Sequence, residues 1–189
     1  MSLAKMIAAW VASAAFLASA AASDGHQGHG GHGGHAMSPE MKAKHDALEA
    51  KMKDTSAFGQ KGDPKKATRT VAINATDIAF DIKSIDVKLG ETVKFVVENK
   101  GDMTHEFTIG DEAYQKTAST MMTMMTEMGM DASSPEHAKM HADMANTAIV
   151  LPMEIKTIAW TFTKPGTFSF SCNMIGHAEA GMTGRITVK

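Results

Sequence analysis

Cys172-Asn-Met-Ile-Gly-His177-Ala-Glu-Ala-Gly-Met182 puts the chain's one cysteine, a histidine and a methionine into a single short stretch. Before it, Phe168-Ser-Phe170-Ser alternates apolar and polar side chains, and after it Thr183-Gly-Arg-Ile-Thr-Val188 does the same. A period of two is the mark of a half-buried strand. A short loop between two strands therefore presents a thiolate, an imidazole and a thioether. Soft sulfur suits Cu(I), imidazole suits both copper oxidation states, and a weak thioether completes a site built from two histidines and one cysteine. The loop supplies one histidine, so the second has to come from upstream. His105 is the candidate, because it opens the run His105-Glu-Phe-Thr-Ile109 directly after the turn-forming Asn99-Lys-Gly-Asp102.

Outward from the loop, short alternating runs recur at 70–75, 84–88, 91–98, 104–109, 156–163, 167–171 and 183–188. Leu89-Gly90-Glu91 and Lys164-Pro165-Gly166 supply further turns. Seven or eight short strands with frequent turns predict an all-β antiparallel sandwich. Residues 69–189 are enough for one modest core and too few for two. A single cysteine forms no internal disulfide, and its place inside the donor loop favours metal.

These residues resemble the cupredoxins, the type 1 blue or green copper proteins. The resemblance covers 69–109 and 154–189. It is carried by Leu89-Gly90-Glu91-Thr92-Val93, His105-Glu106-Phe107, and Pro165-Gly-Thr-Phe-Ser-Phe-Ser-Cys172 with the loop through Met182. The resemblance implies an eight-stranded Greek-key sandwich with one type 1 copper near one end. It further implies His105, Cys172 and His177 as equatorial ligands and Met182 as the weak axial one. His177 would pass electrons to partners through its exposed edge, with Ala178 and Ala180 helping to form an apolar docking patch around it. Glu106 stands where many members of that family carry Asn or Ser, which leaves the hydrogen bonding near the sulfur open.

Between the matching halves lies an insertion, 110–153, holding nine of the chain's 17 methionines. Most of it reads as helical, and Ser134-Pro135-Glu136 marks a second helix start. His137, Met140, His141 and Met144 then fall at i, i+3, i+4 and i+7, one face of a helix. Imidazoles with thioethers suit Cu(I), so this face is a candidate auxiliary copper site. For Met121 to Met130, metal capture and adaptable packing over the sandwich are both open.

At the other end, residues 1–22 read as a signal peptide, with Lys5 before an apolar run and Ala20-Ala21-Ala22 as a cleavage site. The apolar run is short of the ~20 residues a membrane span needs. Residues 23–68 follow as a His-rich tail, a short helix and a linker. His26, His29, His32 and His35 recur every three residues among glycines; such a segment builds no core and can capture copper ions loosely. Ser38-Pro39-Glu40 opens a helix to about Lys53, with Met41, His45, Leu48 and Met52 on one face.

The formal net charge of −2 argues against nucleic acid as a partner. The layout resembles the periplasmic copper-resistance cupredoxins of the CopI type. The expected function is copper handling and tolerance in the periplasm, with a redox or copper-transfer protein as partner. The alternative is a single-domain electron carrier between respiratory or oxidase partners. A cuprous oxidase is less favoured, since no His-x-His pair of the kind an oxygen-reducing cluster needs occurs here. The chain is therefore expected not to be an enzyme.

Overall fold

The computed structural model describes residues 37–189. The leader expected at 1–22 and His26, His29, His32 and His35 lie outside the described residues. In chain order the elements are α1 (Pro39–Lys53), β1 (Gln60–Lys61), a 3-10 turn (Pro64–Lys66), β2 (Arg69–Thr76), β3 (Ala79–Phe80), β4 (Ser84–Val87), β5 (Thr92–Asn99) and β6 (His105–Gly110). Then come α2 (Glu112–Glu127), α3 (Pro135–Met140), β7 (Thr147–Val150), β8 (Ile155–Thr161), β9 (Gly166–Ser171) and β10 (Thr183–Val188).

The strands form two five-stranded sheets, ordered β1-β8-β5-β2-β3 and β4-β10-β9-β6-β7. The class is the expected all-β sandwich, but ten strands replace the expected eight. Two of the extra pieces, β1 and β3, are only two residues long, below what a period of two can reveal. The sandwich is also not wholly antiparallel. β2 runs parallel to β5, and β4 runs parallel to β10, because the chain crosses between sheets rather than folding back as hairpins.

Alternation sets the core. Every second residue of β5, from Val93 through Phe95 and Val97 to Asn99, is buried. Phe95 meets Phe107 of the facing sheet with ring centroids 5.6 Å apart, and Phe107 meets Phe170 at 5.3 Å. β6 departs from alternation, since all six of its residues are buried. One face looks into the sandwich and the other lies under α2, whose Gln115 donates to the Thr108 carbonyl at 2.8 Å.

The insertion differs from its helical reading at its end. Thr147-Ala-Ile-Val150 forms β7 and pairs with β6, placing His105 opposite Val150. In α2, Met121, Met122, Met124 and Met125 are buried in the main core, while Thr117, Thr120, Thr123 and Thr126 bond the carbonyls four residues back. These four methionines act as packing, the adaptable filling that thioethers supply.

The stretch read as a linker is also packed. Phe58 is 1% exposed and stacks on Trp160 with centroids 5.5 Å apart. Burying such a ring stabilises by about 1.5–3 kcal/mol. Gly59 is required beside it, as a Cβ there would come within 2.4 Å of the Trp160 indole. Ser38 caps α1 by accepting from the Met41 amide at 3.2 Å, and Met52 at its far end joins the core.

Candidate metal centre

His105 stands at the first residue of β6, next to a turn that Asn99 braces. The Asn99 side chain donates to the Met103 carbonyl at 2.7 Å and to the Val150 carbonyl at 2.9 Å, and accepts from the Gly101 amide at 2.9 Å. Asn99 is fully buried, so these bonds are made away from water and hold both the turn and β7. Sequence reasoning saw only a turn residue here.

Cys172 follows β9 directly, and β9 is the neighbour of β6. The loop after it folds on itself. The Cys172 amide donates to the Met182 carbonyl at 3.0 Å, the Met182 amide to the His177 carbonyl at 2.9 Å, and the His177 amide to the Met174 carbonyl at 3.0 Å. Gly176 at φ +83° and Gly181 at φ +96° take the left-handed turns that let the loop close so tightly.

The outcome is convergence. One donor atom each from His105, Cys172 and His177 lies within 4.8 Å of the others. Cys172 Sγ is 3.3 Å from His177 Nδ1, and the two imidazole centroids are 5.3 Å apart. Met182 is fully buried where the loop returns to the sheet, and its backbone brackets Cys172. His105 and Cys172 are fully buried, whereas His177 is half-buried. An open groove beside His177 is lined by Met103, Met130, Leu151, Met174 and Ile175. Part of that wall comes from the α2–α3 connection, which Thr104 fastens by donating to the Ser133 carbonyl at 3.1 Å. Ala178 is half-buried and Ala180 exposed on the same loop.

The electrostatics fit a bound cation. Burial pushes the Cys172 thiol up to about 12, and only the Glu106 amide and the Met174 backbone oppose it. Burial, reinforced by His177, pulls His105 down to about 4, and burial also lowers His177. Both ring nitrogens of His105 are buried without a hydrogen-bond partner. Unpaired buried polar atoms cost about 1–3 kcal/mol each. A metal ion accepts the lone pair of one of these nitrogens and displaces the thiol proton of Cys172, since a coordinating thiol is deprotonated outright. Two imidazoles with one thiol are a donor set for copper.

Glu106 answers the question its identity raised. Its backbone amide donates to Cys172 Sγ at 3.3 Å, so the bond to sulfur is independent of the side chain. The side chain, 3% exposed, joins a buried polar network. It accepts from the Thr108 hydroxyl and from Asn173 at 2.8 Å, and Asn173 also donates to Gln115 at 3.0 Å. Burial raises its pKa and these two bonds oppose the rise. Asn173, Gln115 and Thr108 carried no signal in the sequence, because the contact needs α2 folded over β6.

The auxiliary face is only partly assembled. His137 and His141 are buried side by side and Met144 adjoins them, but Met140 is 54% exposed. Met140 ends α3 and faces solvent there, while His141 and Met144, beyond the helix, are the residues the chain turns back towards His137. Among the described residues one further set of potential donors is close together, His45, Asp46 and Glu49 on α1. It lies on the surface, with Asp46 and Glu49 ion-paired to Lys42 and Lys53.

Residues 67–189 match the family described as copper binding proteins of the plastocyanin/azurin family. The copper-resistant cuproprotein CopI of Pseudomonas aeruginosa is 35% identical over 150 residues, covering 70% of this chain and 83% of that protein. The CopI of Rubrivivax gelatinosus is 38% identical over 133 residues, 70% of this chain and 73% of that one. Among solved structures, auracyanin B superposes with a TM-score of 0.53 at 20% identity, over 69% of this chain and 96% of its own.

Proposed function

This chain belongs to the plastocyanin/azurin family of copper-binding proteins, the cupredoxins, and we propose that it handles surplus copper in the periplasm as a non-enzymatic copper-tolerance protein. The observation that carries the reading is the convergence of His105, Cys172 and His177 at a buried point where His105 has no other partner. The relatives named as copper-resistant cuproproteins support the tolerance role. The signal-like residues 1–22 support export, and no helix among the described residues is long and apolar enough to cross a membrane.

His105, Cys172 and His177 would hold the copper, with Met182 as the weak fourth donor. Bound copper supplies one-electron exchange between its cuprous and cupric states. Cys172 gives up its thiol proton on binding, and the Glu106 amide then donates to the thiolate sulfur, limiting its basicity. Strands β6 and β9 hold His105 and Cys172 in a fixed relation, so the donor positions need not change with the charge they face. The His-rich segment at 26–35 would collect further copper ions ahead of this site.

A second reading, an electron carrier, is favoured by the half-buried His177 beside an apolar groove, with Ala178 and Ala180 on the same loop. A copper titration of the mature, reduced protein separates the two. Intense visible colour saturating at one copper, followed by several colourless equivalents, is expected for copper handling. Colour with a single copper and nothing more would favour the carrier. Absence of colour would overturn the ligand assignment itself.

A further inference from the structure

Away from the Cys172 loop, a second group of metal donors lies in the insertion, with His137 and His141 buried and Met144 partly buried. Ser134 caps α3 by accepting from the His137 amide at 3.1 Å, which sets His137 in the first turn. One turn on, the chain leaves the helix at His141 and turns back, so that the Met144 amide donates to the His141 carbonyl at 3.0 Å. The turn brings the Met144 thioether to 2.9 Å from His141 Nδ1. The two imidazole rings sit edge to face with centroids 4.4 Å apart.

His137 is 1% exposed, and neither of its ring nitrogens has a partner at hydrogen-bond geometry, although the Ala132 carbonyl lies close enough to favour the charged ring. Burial holds both rings neutral; His141, which His137 also depresses, falls to about 4. Lone pairs are therefore free of competing protons. His141 Nδ1 and the Met144 sulfur thus lie next to each other and offer their donor atoms to one shared point. A neutral donor set in a dry setting disfavours a divalent charge, and a thioether selects soft cations. Asp131, which favours positive charge at His137, supplies partial compensation.

We propose that His137, His141 and Met144 form a second metal site, specific for a soft monovalent cation, Cu(I) or its analogue Ag(I). The site is separate from the group at Cys172 and shares no residue with it. The proposal rests on the copper-handling reading only in naming copper as the natural occupant.

The test is an Ag(I) titration of the full mature chain, labelled with carbon-13 at the methionine methyl groups, followed by NMR. It is run in the wild type and in Cys172→Ala, which silences the first group. The Met144 methyl and the His137 and His141 ring resonances are expected to shift together in both, saturating at one ion. Met144→Leu keeps the packing volume and should weaken the response of both rings at least tenfold. Stationary Met144, His137 and His141 signals through several equivalents of Ag(I) would overturn the site. An equally tight response to Zn(II) would overturn its specificity for soft cations. Because the first group is read by visible colour with Cu(II), a colourless wild type whose Met144 methyl still shifts would sink the ligand assignment at Cys172 and leave the second site standing.

Discussion

The Glu106 amide donates to Cys172 Sγ at 3.3 Å, and a backbone donor survives any side chain except proline. The unusual carboxyl at the end of the side chain has a separate task, accepting from Thr108 and Asn173. Glu106→Gln keeps a side-chain carbonyl for those two donors and keeps the amide. The visible band of the copper-loaded variant is therefore expected to stay near its wild-type position and intensity. A band lost or moved far in the absorption spectrum would mean that the carboxyl itself sets the electronic environment of the sulfur. The distinction was not legible in the sequence. Residue type reports on side chains, whereas this bond depends on how β6 lies against the start of the loop.

At the scale of elements, one phenol adds a hydrogen bond to the apolar packing that ties α1 to the domain through Met41, Leu48 and Met52. Tyr114 on α2 shares its one hydroxyl proton between the Met52 carbonyl at 3.1 Å and Asn146 Oδ1 at 3.2 Å, and its ring meets Phe58 edge to face at 5.1 Å. Tyr114→Phe keeps the ring contact and loses the hydroxyl, at a cost of about 1 kcal/mol near neutrality. Burial pushes the phenol up to about 12 from the ordinary 10.0. Folding thus favours the neutral form, and the stability it brings is complete below about pH 10 and drains away as the pH rises towards 12. The gap in urea midpoint between the wild type and Tyr114→Phe should therefore narrow across that window. A constant gap up to pH 12 would show that the hydroxyl is not buried in solution. The helix itself was legible, because Ser38-Pro39-Glu40 and the face of Met41, His45, Leu48 and Met52 are local signals. The packing of residues 58–61 was not: a single phenylalanine among Gly, Lys and Pro has no period, and its partner, Trp160, lies a hundred residues along. β7 escaped for a related reason. Four residues directly after a Met-rich helical run are too few to display alternation, yet pairing with β6 is enough to make them a strand.

For the whole molecule, the placement of the donors decides what copper does for stability. His105 stands on β6, and Cys172 and His177 follow β9, its direct neighbour. All three are carried by one sheet, His105 on a strand and the other two on the loop that leaves its neighbour. The facing sheet is held by the apolar core instead, through contacts such as Phe95 with Phe107. This division explains why the donor loop and most strands could be read from the sequence, since both are written in local spacing. The cross-sheet contacts, the parallel pairs and the return of Met144 towards His141 depend on where the chain crosses and where a helix stops. It follows that metal is not the staple of this fold, in contrast to small domains that are unfolded without it. Copper should stabilise by mass action alone, by about 4 kcal/mol at free copper a thousandfold above its Kd. At roughly 2–4 °C per kcal/mol for a domain of this size, that is a Tm rise of about 10 °C. Calorimetry with and without Cu(II), which the second site's neutral donors disfavour, measures it, and Cys172→Ala should abolish the rise while leaving the metal-free transition cooperative and within a few degrees of the wild type. If the metal-free protein instead melted without a cooperative transition, the sandwich would need its copper to fold, and the core described above would be too weak to account for it.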